Sequence, residues 1–196
     1  MARYAFFDFD GTLIRGDSLG LFARFAVGTA AFQKAIFLSL PKIMAWKTGI
    51  ISNSEAKEYL FGKLFGGMSY ADFQRYGEGF SKVIESRQKP DSVRRLREHV
   101  AAGDTVAIVT ASMAEWIAPW ASGYGVETLL TTVPEVDPVS NRLTGRFLGA
   151  NCHGEEKARR IRAHFGPLDD AEVWAYGDSA GDDAMLRLAD HPCRIK

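Results

Sequence analysis

Asp8 and Asp10 stand one residue apart at the end of the apolar run Ala5-Phe6-Phe7, and Gly11 and Thr12 follow them. An unpaired buried carboxylate costs several kcal/mol or gives up its charge, so a hydrophobic strand ending in two of them calls for a cation, a water-exposed turn, or both. If the strand continued, its period of two would aim both side chains to one side. If it ends near Asp8, Gly11 can turn the backbone so that a side chain and a backbone carbonyl approach one ion. Mg²⁺ prefers such hard oxygen ligands. Asp8 is then a candidate ligand and a candidate nucleophile toward phosphorus, forming an aspartyl phosphate. Asp10 is placed to protonate a departing alcohol and then to deprotonate the hydrolytic water. An Asp-rich turn that caps backbone donors explains the same five residues, so the catalytic reading requires partners from elsewhere in the chain.

Three later segments supply candidates. Val173–Tyr176 runs into Gly177-Asp178-Ser179-Ala180-Gly181-Asp182-Asp183. Asp178 there is a third contribution to an ion, Asp182 can orient metal-bound water or hold Lys157, and Asp183 suits a first helical turn. Thr105–Val109 runs into Thr110-Ala111-Ser112. The Thr110 hydroxyl and the adjacent backbone N–H groups, Ala111 included, can bind phosphoryl oxygens, helped by the dipole of a helix starting after Ser112. Ser112 itself reads as that helix's N-cap, with Glu115 as its capping-box partner. Lys157, in Gly154-Glu155-Glu156-Lys157, is either a solvated helix charge or the cation that neutralises a phosphorylated aspartate.

The elements that must position these groups follow from hydrophobic periodicity. Strands ending near Phe7, Val109, Leu130 and Tyr176 alternate with helical patterns at 92–101, 113–121, 155–165 and 182–188. Such alternation indicates a parallel α/β sheet whose ligands gather beyond the C-terminal strand ends. The stretch from about Gly16 to Lys89 instead carries helical patterns at 19–26, 32–40, 53–65 and 70–84, with Pro41 dividing its most apolar part. Inserted after the first strand, it would lie over the strand ends as a lid. Residues 132–137 and 142–147, flanking Pro138-Val139-Ser140-Asn141, read as a short antiparallel hairpin expected to cover one edge of the sheet.

Composition narrows the classes. Twenty-four basic residues balance 24 acidic ones with no basic block, which argues against a nucleic-acid surface. The apolar stretch 19–46 is interrupted by Arg24, Gln33, Lys34 and Lys42, so no integral membrane segment is expected; it reads as a buried cap helix or as a surface that handles an apolar substrate or lipid. Cys152 and Cys193 lie far apart and are expected as reduced thiols. The chain enters its first strand without a basic-then-apolar leader, and a cytoplasmic location is expected. Gly-x-Ser-x-Gly and P-loop patterns are absent, which argues against serine-hydrolase and P-loop chemistry. Oligomeric state is not legible.

Together, Asp8-Phe9-Asp10-Gly11-Thr12-Leu13, Val109-Thr110-Ala111-Ser112, Gly154-Glu155-Glu156-Lys157 and Gly177-Asp178-Ser179-Ala180-Gly181-Asp182 closely resemble the four ordered motifs of the haloacid dehalogenase-like (HAD) phosphatases. The likeness is to subfamily IB, the phosphoserine-phosphatase-like branch. It implies an α/β fold: a Rossmann-like three-layer core with a parallel sheet, formed by residues 1–15 and 90–196, an inserted helical cap of type C1 over residues 16–89, and a short β-hairpin. It also implies Asp8 as nucleophile and Asp10 as general acid/base. Mg²⁺ would be held by the Asp8 side chain, the Asp10 backbone carbonyl and Asp178, with Asp182 supporting the metal shell and Thr110, Ala111 and Lys157 on the phosphoryl group.

The activity expected from this resemblance is Mg²⁺-dependent hydrolysis of a small phosphorylated metabolite, phosphoserine or a related monoester. The same intermediate permits transfer to an alcohol acceptor, and the apolar insertion permits a non-enzymatic partner- or lipid-binding role. Asp17 falls where phosphoserine phosphatases place a glutamate against the substrate amine. Arg24 and Arg75, like Lys34, are candidates for a substrate carboxylate. Gly181 stands where those enzymes commonly have asparagine. The aromatic side chains Phe22, Phe25, Phe32, Phe37 and Trp46 are expected to form a cap core or to accept an apolar alcohol portion.

Overall fold

A computed structural model describes all 196 residues. The first strand, β1 (Ala2–Phe7), is the centre of a five-stranded parallel sheet completed by β2 (Thr105–Met113), β3 (Thr128–Thr132), β6 (Ala171–Gly177) and β7 (His191–Arg194), in the order β3-β2-β1-β6-β7. A parallel sheet covered on both faces should show apolar side chains in both directions. In β1, Phe6 enters one core cluster with Val109, Ile161, Ala175 and Met185, while Ala5 and Phe7 enter the other. The covering helices are α6 (Pro90–Ala101) and α7 (Ala114–Ser122), together with α8 (Glu155–Phe165) and the short α9 (Asp183–Leu186). This is the parallel α/β sheet expected from the alternation, in the three-layer core that the resemblance implies. His99 of α6 pins the turn into β2 through Asp104 at 2.6 Å and reaches the Tyr176 hydroxyl at 2.8 Å.

Strand register brings the motifs together. Phe7 is level with Ile108 of β2 and with Tyr176 of β6. The residues just beyond those points, Asp8, Thr110 and Asp178, therefore emerge side by side. β7 carries no alternating pattern and contains Pro192; as an edge strand it tolerates both.

The insertion consists of α1 (Ser18–Val27), α2 (Thr29–Lys47), α3 (Asn53–Phe65), α4 (Tyr70–Gly79) and α5 (Ser81–Arg87). Pro41 does not divide the apolar stretch: α2 runs through it. The donor that proline lacks would have served the Phe37 carbonyl one turn earlier, on a solvent-facing side where water can replace it. The expected helix 70–84 is two helices, broken at Phe80. Ser52 and Glu55 form a full capping box at the start of α3. Phe22 stacks on Trp116 of α7 at 4.6 Å between centroids and meets Phe73 and Phe80 edge-on, so the cap interior continues the sheet's core. No helix is long and apolar enough to cross a membrane. Cys152 and Cys193 are both free thiols.

The hairpin, β4 (Pro134–Asp137) and β5 (Arg142–Phe147), is a separate two-stranded sheet and does not cover an edge of the main one. Its backbone bonds instead to the cap: Gly67 N–H donates to the Leu143 carbonyl at 2.8 Å and Leu143 N–H to Met68 at 2.9 Å. The Phe147 N–H donates to the Glu58 carboxylate at 2.6 Å.

Candidate active site

The strand ends open into a cavity of about 660 Å³ bounded by Asp8, Asp10, Thr110, Lys157, Asp178 and Asp182. Asp8 leaves β1 with its own N–H donated to the Tyr176 carbonyl at 2.8 Å, which seats it against β6. Gly11 then turns the chain at φ +74°; a Cβ there would lie 2.1 Å from an Asp178 carboxylate oxygen, so this position requires glycine for its backbone and for its closeness to Asp178.

Lys157 projects from the first turn of α8 and is buried. Its Nζ donates to Asp8 Oδ1 at 2.5 Å and to Asp182 Oδ1 at 2.6 Å. Burial alone would lower the lysine's pKa, but Asp8 and Asp182 reverse this and hold it well above its ordinary value. Burial likewise works to raise Asp182; Lys157 and the Ser179 donors overcome it and keep that carboxyl low. The second Asp182 oxygen accepts from the Asp178 and Ser179 N–H groups, both at 3.0 Å, and so shapes the loop that carries Asp178. Asp8 is pushed up to about 7 by burial, against the pull of Lys157, with Asp182 adding to the rise. Asp178 is raised by burial and by Asp182.

Asp10 is held by a second network. Ser18, the first residue of α1, donates its N–H to Asp10 Oδ1 at 2.8 Å, and the Ser112 hydroxyl donates to Oδ2 at 2.5 Å. The two serine hydroxyls are 2.8 Å apart, and Trp116 Nε1 donates to Ser18 Oγ at 3.1 Å. Burial, with Asp17 nearby, pushes the Asp10 carboxyl up to about 6. This corrects the reading of Ser112 as a helix cap. β2 stays paired with β3 through Met113, α7 starts later at Ala114, and Ser112 points at Asp10; Glu115 bonds to the Tyr70 hydroxyl at 3.0 Å.

Thr110 is buried at the cavity wall, where its Oγ1 accepts from the Ser112 N–H at 3.1 Å and keeps its own proton free to donate. Ala111 lines the cavity beside it, and its carbonyl accepts from Lys57 Nζ at 2.9 Å. Lys57, on α3, is not singled out by sequence, where it is one of two lysines in a helical pattern. Burial lowers its pKa, opposed by Asp10 and Asp17. His153 also borders the cavity: a Cβ on Gly181 would lie 2.4 Å from its Nε2, so the imidazole fills the space a side chain at Gly181 would need.

Asp17 lines the cavity while capping α1, accepting from Gly20 N–H at 2.9 Å. Arg24 lies over the Phe32 ring and Arg75 pairs with Asp72 at 2.5 Å; neither is part of the cavity lining. The Asp8, Asp178 and Asp182 oxygens lie within 4.8 Å of one another. That all-oxygen, carboxylate-rich donor set fits a hard divalent cation such as Mg²⁺.

A family model for haloacid dehalogenase-like hydrolases matches residues 5–187. Protein CicA of Caulobacter vibrioides (strain NA1000 / CB15N) is 32% identical over 188 residues, covering 94% of this chain and 82% of CicA. Phosphoserine phosphatase SerB1 of Mycobacterium tuberculosis (strain ATCC 25618 / H37Rv) is 31% identical over 192 residues, covering 94% of this chain and 61% of SerB1. Among solved structures, a protein of unknown function from Bordetella pertussis Tohama I is similar at TM-score 0.79 and 30% identity, covering 95% of this chain and 87% of that one. A substrate-bound phosphoserine phosphatase shares the fold at TM-score 0.67 and 17% identity, covering 96% and 83%. The matched region covers most of the chain and includes Asp8, Asp10, Thr110, Lys157, Asp178 and Asp182, and the chain belongs to the haloacid dehalogenase-like hydrolases.

Proposed function

We propose that this hydrolase cleaves phosphate monoesters through an aspartyl phosphate on Asp8, with phosphoserine among the candidate substrates. The observation that carries the reading is the pairing of two separately held carboxylates on one cavity: Asp8 under Lys157, and Asp10 under Ser18 and Ser112. Residues 16–89 are taken as the cap unit and residues 1–15 with 90–196 as the catalytic unit.

In the first half-reaction an Asp8 oxygen attacks phosphorus while Asp10, whose raised pKa suits a proton carrier near neutrality, protonates the leaving alcohol. Thr110 Oγ1–H and the Ala111 N–H face the phosphoryl oxygens, and Lys157 balances the charge on Asp8 without leaving Asp182. In the second half-reaction Asp10 takes a proton from water, which attacks the aspartyl phosphate, releases phosphate and restores Asp8. Asp8, Asp178 and the Asp10 backbone carbonyl would hold Mg²⁺, with Asp182 fixing the Asp178 loop. The ion would favour the ionised Asp8 and offset phosphoryl charge. On the alcohol side the cavity presents Asp17 and Lys57, one anion and one cation.

Phosphate release across a panel of phosphoserine, sugar phosphates, phosphocholine and glycerol phosphates, with and without Mg²⁺, tests the reading. Turnover should require the metal and disappear in Asp8→Asn with the circular dichroism spectrum unchanged. Undiminished turnover by Asp8→Asn would sink the assignment.

A further inference from the structure

Helix α2 is folded inside out. It packs against α1 and α3, yet the residues it buries are two small ones a turn apart, Ala35 (4% exposed) and Ser39 (fully buried). Phe32, Ile36 and Ile43 are half-buried, but other large apolar side chains face solvent: Phe37 is 70% exposed and Met44 56%, with Leu38 and Leu40 also exposed, and Ile50 follows just past the helix end. Phe37, Leu40 and Met44 recur at i, i+3 and i+7, which sets them along one side of the helix. A helix in water normally does the reverse, and a contiguous exposed apolar patch marks a surface that something else covers.

Charge points to what covers it. The whole chain balances its acids and bases, but between Asp17 and Glu55 it has no acidic residue and four cations, Arg24, Lys34, Lys42 and Lys47. Lys34, Lys42 and Lys47 are all exposed on α2 itself. Large apolar side chains flanked by lysines, with no carboxylate on the helix itself and only Glu55 and Glu58 of the packed α3 near Lys42, match the chemistry of an anionic bilayer surface: the apolar groups enter the acyl boundary and the lysines extend to the headgroups. The same helix reaches the catalytic cavity. Ile43 and Trp46 line it, with Leu19 and Leu60 completing an apolar wall opposite the carboxylates.

We propose that α2 docks the enzyme on an anionic membrane surface, and that the cavity receives a phosphate monoester headgroup from a lipid whose acyl chain leaves along Ile43 and Trp46. The substrate half of this proposal rests on the phosphatase reading above; the docking half does not. The continuous run from solvent-facing Phe37, Leu40 and Met44 to cavity-lining Ile43 and Trp46 lets one helix do both.

The test uses the full chain and vesicles of phosphatidylglycerol mixed with phosphatidylcholine. Wild-type protein and Asp8→Asn should co-sediment with these vesicles, and neither with phosphatidylcholine alone. The triple substitution Phe37→Glu, Leu40→Glu, Met44→Glu should weaken this partitioning at least roughly tenfold, while its turnover of p-nitrophenyl phosphate stays at the wild-type rate, because none of the three lines the cavity. Oleoyl lysophosphatidate in anionic vesicles should be hydrolysed with a higher kcat/KM than glycerol phosphate, and the triple variant should lose that advantage. Wild-type protein left in the supernatant, or a triple variant that sediments equally, would overturn the docking. A concentration-dependent dimer that the triple substitution splits would assign the face to a second copy instead. Equal kcat/KM for the two esters would overturn the lipid substrate. Absence of turnover on every ester, with vesicle binding intact, would fault the phosphatase reading and leave the docking standing.

Discussion

The strand-end rim and helix α2 break the ordinary burial rule in opposite directions. At the rim, Asp8, Lys157 and Asp182 are charged groups taken out of water; on α2, Phe37 and Met44 are apolar groups left in it. Either arrangement is costly unless something answers it. The rim supplies part of its own answer, since Lys157 satisfies two carboxylates at once and Asp182 also collects three donors from the loop that precedes it. α2 has no such internal answer. Paired buried charge thus coincides with the proposed chemistry, and unpaired exposed apolar surface with the proposed docking.

The largest effect that could break this contrast is chemical. Asp8→Asn keeps the shape of the rim but removes the proposed nucleophile, and kcat should fall by about 10⁴-fold or more; steady-state phosphate release measures it. Next is stability. Lys157→Ala leaves Asp8 and Asp182 buried without their cation, which should cost about 3–5 kcal/mol in a urea titration. A loss near zero would mean that the rim is wetter than its packing implies.

Ser112→Ala removes one donor to a charged group, worth about 1.5–3 kcal/mol where the carboxylate is ionised. Because that donor lowers the Asp10 pKa, its loss should move the alkaline limb of the kcat profile to higher pH. The metal-free protein should also show an unusual pH response. The folded-state pKa values of Asp8 (about 7) and Asp10 (about 6) lie above the ordinary carboxylate value, so folding takes up protons between them. Stability in chelator should then rise as pH falls from about 7 toward 5, by at most about 1.4 kcal/mol per pH unit for each proton, and Mg²⁺ should flatten the slope. Thermal melts across that window decide it. The smallest effect belongs to α2: Phe37→Glu or Met44→Gln in the absence of lipid should change stability by no more than about 0.5 kcal/mol. A large loss would show that these side chains already pack against something within the chain.

The sequence made the rim readable because each contributing residue follows an apolar run, so Asp8, Thr110 and Asp178 are found by locating where a strand stops. Lys157 was readable only as one of two alternatives, since its spacing also suits a solvated helix charge. Ser112 misled because Ser-x-x-Glu is a genuine capping pattern, and only the continued pairing of β2 with β3 through Met113 turns the hydroxyl inward. Lys57 and His153 left no local signal. The first acts through a carbonyl 54 residues away and the second through the space above Gly181. The hairpin's strands were legible but its neighbour was not, because most of its bonds to the cap use backbone groups, which carry no residue signature.

Ser18 has a consequence for alignment. It opens α1, on the inserted side of the chain, yet its N–H and hydroxyl grip Asp10 on the catalytic side. Any swing of α1 away from the sheet must stretch those bonds and leave Asp10 held by Ser112 alone. The bonds from Ser18 thus tie the orientation of the proposed acid–base group to the seating of α1 on the sheet.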